Sequence, residues 1–287
     1  VSPIQQALDL ATRRGLLPSS LGSAELSDLA SSLEERAFWS ARTTHAAYLA
    51  DLKKLTERHI KGEGYENDLA QLRLEARRLL AKYGYTPEKG FPGDPARAVP
   101  AATPGSLRDL RSERRLNLIF DTQAALARGL GQKLRGLDRI DIAPAWELIR
   151  VTDKTTPRDW AERWKIASDN INAVGVYVRP STINSQPSTR LIARKDSPIW
   201  AALGSRELFD DALNVDHAPF AFNSGMGLIE RTHSDLADYA APAPGSVGPR
   251  GITLPAPTNT VPDHIEPNDF IGGQATIDRL LTLWKNR

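Results

Sequence analysis

Proline divides this chain more sharply than any other residue. None occurs from Ser23 to about Ile60. Pro87, Pro92, Pro95, Pro100 and Pro104 then crowd into residues 85–105, and Pro242, Pro244, Pro249, Pro255, Pro257, Pro262 and Pro267 into 237–267. A proline ring fixes φ and removes a backbone donor, so neither crowded stretch can be a regular helix or a central strand. Both read as stiff, extended chain. What lies between them must supply the core.

The proline-free stretch carries apolar residues at three-to-four spacing: Leu26, Leu29, Leu33, Ala37, Phe38 and Ala41, then Leu49, Leu52 and Leu55. That period predicts one amphipathic helix or two collinear ones over about 23–60. Ser2, Pro3 and Gln5 form a preceding helix start, with a stop at Gly15. A further helix is expected over about 65–83, with Leu69, Leu72, Leu74, Ala76, Leu79 and Leu80 on its apolar side and Gly84 as its end. A turn at Gly62–Gly64 would fold the two into an antiparallel hairpin. After the linker, Ser106 and Asp109 read as a capped start of a helix running to about Arg135. Gly129 and Gly131 in it either weaken it or admit another backbone. Ala145–Val151 fits a short helix or strand. Thr156, Pro157 and Asp159 open a helix through Trp160, Trp164 and Ile166, and Ala173–Arg179 and Arg190–Lys195 are strand-like. A last helix over about 273–285 would present Ile277, Leu280, Leu281 and Trp284 on one face. Behind its proline-rich arm, that face either docks on a neighbouring subunit or packs on its own domain.

The expected architecture is mainly α, an α+β arrangement with minor short strands. It has an N-terminal helical region (1–84), a proline-rich linker (85–105), a central helical domain with a small sheet (106–236), and an extended arm with a terminal helix (237–287). A 40% hydrophobic fraction in 287 residues is enough for one or two cores. A net charge of +2 argues for neither a dedicated nucleic-acid binder nor a membrane-surface protein. Without cysteine there is no disulfide, thiolate metal site or cysteine nucleophile, which suits a reducing cytoplasm. No apolar run approaches the roughly 20 residues of a membrane span. The first residues lack the order of a secretion signal, and the initial Val1 points to a processed or trimmed start.

Reactive patterns are sparse. None of His45, His59, His217, His233 and His264 pairs at the spacing that puts two ligands on one helix face. Ser224 lies in Asn223-Ser224-Gly225-Met226-Gly227, but Phe222 and Met226 stand where a nucleophile elbow needs glycine, so Gly225 and Gly227 read as turn residues. There is no phosphate loop, and Gly129-Leu130-Gly131 lacks the rest of a dinucleotide fingerprint. The pairs Asp138 and Asp141, Asp210 and Asp211, and Asp235 and Asp238 could in principle build a divalent-metal nuclease, but nothing in their spacing favours one and solvated charge is the default reading. No catalytic residue, metal ligand or cofactor is assigned. The basic residues Arg108, Arg111 and Arg115, with Arg114 beside them, fall at helical steps. They form a candidate stripe for DNA phosphates or an acidic partner.

Several runs resemble a known family. Glu113-Arg114-Arg115-Leu116-Asn117-Leu118-Ile119-Phe120-Asp121-Thr122-Gln123-Ala124-Ala125 is similar to a helix of the phage Mu F-like head morphogenesis proteins, the minor head proteins of tailed bacteriophages. Leu148-Ile149-Arg150-Val151-Thr152-Asp153-Lys154-Thr155-Thr156-Pro157-Arg158 resembles their strand followed by Thr-Pro-Arg. Trp200, the run Ala218-Pro219-Phe220-Ala221-Phe222-Asn223-Ser224-Gly225-Met226, and Ala37-Phe38-Trp39-Ser40-Ala41-Arg42 resemble stretches of related phage structural proteins. The resemblance covers about residues 35–230. Asp159 and Trp160 follow Arg158 where many relatives carry His, and the C-terminal Asn-Cys-Arg-Cys of relatives is missing, so nothing tied to those residues carries over. The resemblance implies a non-enzymatic virion component in several copies per particle. It would reside at the portal vertex or capsid interior, and in the host cytoplasm during assembly. Its implied partners are the portal protein and the major capsid protein, with double-stranded DNA as a further candidate. The alternatives are a metal-dependent phage nuclease or hydrolase, and a DNA-binding module acting through the basic stripe.

Overall fold

The computed structural model describes residues 5, 8–9, 11–12, 14–22, 26, 37–61, 69–92, 102–177, 190–239, 275 and 278. The chain forms two compact units, Val1–Arg128 with Pro257–Arg287, and Gly129–Ala256. The architecture is mainly helical with a small three-stranded antiparallel sheet, as the periodicities predict.

The first unit opens with β1 (Gly15–Leu16) and β2 (Ala37–Phe38), paired in parallel. The pairing continues irregularly, with the Ser19 N–H donating to Thr43 O and that of Arg42 to Leu21 O. The helix expected over 23–60 therefore fails across 37–45. Here Phe38 and Trp39 are buried, Thr43 and Thr44 are β-branched, and Arg42 takes a φ of 56°. Backbone of this kind favours extended pairing over a helical turn. Most of 23–36 lies outside the described residues. Helix α1 (Ala46–Lys61) begins after His45, whose ring Nδ1 accepts the Tyr48 N–H at 3.1 Å. Its buried residues Tyr48, Leu49, Leu52, Leu55 and Ile60 face Leu72, Ala76 and Leu80 of α2 (Leu69–Lys82). The two helices are antiparallel, since Arg58 pairs with Glu75 near one end and Tyr83 donates to Asp51 near the other. The turn predicted at Gly62–Gly64 lies outside the described residues.

Gly84 ends α2 as expected. It sits at φ 71°, donates to Ala81 O, and lets Tyr85 donate back to Leu80 O, which satisfies the last carbonyls of the helix. The chain then departs from the expected linker. Thr86 and Gly90 close a tight turn through paired backbone bonds, and Tyr85 and Phe91 bury their rings in the core of the unit. Burying each such ring is worth on the order of 2 kcal/mol, enough to fold back a segment that proline only forbids from being regular. The two units divide inside α3 (Glu113–Leu137), between Arg128 and Gly129.

In the second unit, β3 (Ala145–Arg150) is central, flanked by β4 (Leu191–Arg194) and β5 (Met226–Arg231). Alternation along β3 sends Trp146 and Leu148 into the main core, with Trp160 and Trp164 of α4 (Trp160–Asn170) and Trp200 of α5 (Ile199–Gly204). Trp200 meets Trp146 and Trp164 edge-on and stacks on Phe220. Of the expected start at Thr156, Pro157 and Asp159, it is Asp159 that caps α4, accepting N–H bonds from Ala161 and Glu162, while Thr156 and Pro157 precede the helix. Ala145 and Ile192 form a smaller cluster with Leu236, against Tyr177 and Tyr239.

Candidate interaction surface

Residues 148–158 and 218–226 lie side by side in the second unit. The N–H groups of Val151 and Thr152 both donate to Gly225 O, at 2.9 and 3.1 Å. Lys154 Nζ donates to Asn223 Oδ1 at 2.6 Å. Arg158 donates to Phe222 O at 2.7 Å and to Asn223 O at 3.3 Å, and pairs with Asp211 at 2.5 Å. Arg163 completes the knot from α4. It reaches Asp211 at 2.6 Å, Leu203 O through two nitrogens, and lies 3.9 Å over the Phe209 ring. The result is a ledge with Val151 and 152–157 largely exposed above a base tied by Arg158, Arg163 and Asp211.

Close backbone approaches hold this base. A Cβ on Gly204 would stand 1.7 Å from Val215 O, and one on Gly129 would stand 1.8 Å from Ala218 O. Of the two readings of Gly129, the structure shows the close approach of another backbone, and only glycine permits it. Asn214, Phe220 and Asn223 take positive φ near the same loop. For Phe220 that conformation costs about 1 kcal/mol, offset by complete burial of its ring.

The reactive candidates occupy structural posts. His217 is fully buried with Nδ1 2.6 Å from Ala218 O. Ser224 Oγ accepts the Met226 N–H, which makes it a turn residue. Asp211 holds two arginines, Asp216 holds Lys133 at 2.6 Å, and Asp235 closes a turn onto Thr232. Among the described residues no group of three or more His, Asp or Glu side chains is placed to hold a metal ion, and no helix is long and apolar enough to cross a membrane.

The basic stripe does not form as predicted. Helix α3 starts at Glu113, because Asp109 binds the N–H groups of Gly105 and Arg111 and holds the preceding residues in turns. Ser112 then caps the helix through the Arg115 N–H. Arg108 and Arg111 therefore lie on turns and Arg114 on the first helical turn, all exposed. Arg115 points inward, only 7% exposed, and donates to Ser40 Oγ and Ala41 O. It cannot share a surface with the other three. Ile277, Leu280, Leu281 and Trp284, the candidate docking face, lie outside the described residues.

Sequence reasoning missed the charge cluster on the sheet. Glu147 accepts two bonds from Arg190, at 2.9 and 2.6 Å, and pairs with Arg231. Burial pushes the Glu147 carboxyl up, but the two guanidinium groups outweigh it and hold it below the usual carboxylate range. Lys195 was missed as well. Its fully buried side chain donates to Gly136 O and to Glu230, both at 2.7 Å. A charged residue inside an apolar strand run was the only available signal for either. Comparison with protein-family models, curated proteins and solved structures gives no match to this chain.

Proposed function

We propose that this chain is a structural minor head protein of a tailed phage, which binds the portal or the inner capsid surface during head assembly. The observation that supports the reading is the union of residues 148–158 with residues 218–226 through Gly225, Asn223 and Arg158. Runs that resemble the family far apart in sequence belong to one structural element, and that element spends its polar groups on holding itself together. Its exposed upper side, with Val151 60% exposed, is the part available to a partner.

The test is co-purification. The protein should travel with portal or capsid in proheads and virions, and a portal-bound fraction should survive washing in salt if apolar contact dominates. Val151→Asp should weaken that retention without unfolding the protein. Absence of the protein from purified particles would remove the reading. Packaged DNA remains a proposed further contact, now through Arg108, Arg111 and Arg114 on turns and the first helical turn. Binding to DNA would weaken steeply with salt, and neutralising Arg108 and Arg111 would reduce that slope.

A further inference from the structure

Five arginines of the first unit stand on its surface without an anion. Arg77 and Arg78 lie exposed on α2, Arg108 and Arg111 on the turns before α3, and Arg114 on its first turn. Two ties draw these elements together. Arg77 Nε donates to Arg111 O at 3.0 Å. One turn earlier on the same helix face, Arg73 donates to Asn117 Oδ1 at 2.9 Å and pairs with Glu113 at 3.0 Å. The nearby carboxylates are taken, Glu113 by Arg73 and Asp109 by the N–H groups of Gly105 and Arg111. Among the described residues no carboxylate pairs with Arg77, Arg78, Arg108, Arg111 or Arg114. In the second unit, Arg158, Arg163, Arg190, Arg194 and Arg231 each have one. The whole chain carries only +2, so the charge is gathered here.

We propose that α2 and the turns before α3 form one surface for the phosphate backbone of duplex DNA, in which Arg77 and Arg78 supply a second row beside Arg108, Arg111 and Arg114. The inference rests on the reading that packaged DNA is a contact of this chain. A planar guanidinium meets phosphate oxygens two at a time, provided that its position is held. Arg77 is held through its Nε, and its Nη groups bind nothing among the described residues. By gripping the Arg111 carbonyl it also positions the neighbouring turn. The nearby rings of Tyr83, Tyr85, Phe91 and Phe120 are buried or half-buried, so this surface offers charge rather than a stacking platform. That suits a duplex backbone and not unpaired bases.

The experiment is fluorescence anisotropy of a labelled DNA duplex titrated with the full chain at several salt concentrations. The logarithm of the affinity should fall against that of salt with a slope of about −4, five arginines each displacing about 0.9 counterion. Arg78→Gln and Arg114→Gln should each flatten the slope by about 0.9. Arg77→Lys keeps the charge and loses the grip on Arg111, so it should weaken binding severalfold with the slope unchanged. Lys165→Gln, exposed on α4 in the second unit, should change neither. No binding, or a slope that Arg78→Gln and Arg114→Gln leave intact, would overturn the inference. Displacement of the duplex by poly-glutamate at equal charge would do so too, and would assign the surface to an acidic protein. Retention in particles is a separate measurement, so a chain that stays with portal or capsid and binds no DNA overturns this inference alone.

Discussion

In the second unit the buried guanidinium of Arg163 rests on Asp211, and the buried ammonium of Lys195 on Glu230, so each cation has its anion within the same unit. In the first unit Arg115 is buried as deeply and has only a hydroxyl and a backbone carbonyl. Removing a charge from water costs several kcal/mol, and a paired, hydrogen-bonded partner recovers much of it. In the second unit these two buried cations are held by carboxylates, whereas in the first Arg115 is held by neutral acceptors alone. The contrast separates charge that specifies a fold through an ion pair from charge placed by neutral hydrogen bonds.

The largest effect expected in testing this contrast comes from backbone contact. Gly204→Val drives a side chain into Val215 O and should cost about 4 kcal/mol or prevent folding, measured by urea denaturation and soluble yield. Next is Asp211→Ala. It leaves Arg163 buried without its carboxylate, turning the second unit into a copy of the first's imbalance, at a cost of about 3 kcal/mol. Arg115→Met should behave differently. It should change stability by no more than about 1 kcal/mol in urea denaturation, because the lost hydrogen bonds are balanced by relief of a buried charge without a carboxylate. If Arg115→Met proves as damaging as Asp211→Ala, the distinction between the units collapses.

The smallest effect concerns pH. The folded Glu147 carboxyl lies below its unfolded value of about 4.3, so its contribution is fully present above that pH and disappears as pH falls through the folded value. Tm should therefore drop on acidification below about pH 4. The drop should be shallower in Glu147→Gln, which has no carboxylate there to titrate. Equal slopes in the two proteins would mean that the Arg190 and Arg231 contacts carry no linked stability.

Where an element depends on neighbours in sequence, it was legible in advance. The leucines of α1 and α2, the Gly84 stop and a helix leading into Trp160 and Trp164 all belong to this class, since period, cap and turn chemistry act over a few residues, whereas 145–151 left helix and strand open until its pairing in the sheet decided it. The expected helix across 37–45 shows the limit. Ala37, Phe38 and Ala41 satisfy helical spacing, yet the partner strand at Gly15–Leu16 decides their conformation. The stripe through Arg108, Arg111 and Arg115 failed for a similar reason, because Asp109 and Ser112 side chains compete for backbone N–H groups that a continuous helix would have used. Of the candidate surface, the two runs were visible as separate stretches, but their junction at Gly225 was not.

The sequence by itself determined a mainly helical chain with a small sheet, the leucine faces of α1 and α2 and the Gly84 helix end, because these follow from short-range backbone and side-chain preference. Only the tertiary structure decided which cations find anions, that residues 85–92 fold into a core, and that Arg115 turns inward to Ser40 and Ala41. Those outcomes turn on burial and on distances between residues remote in the chain, and a charge has no fixed meaning until its surroundings set the cost of removing it from water.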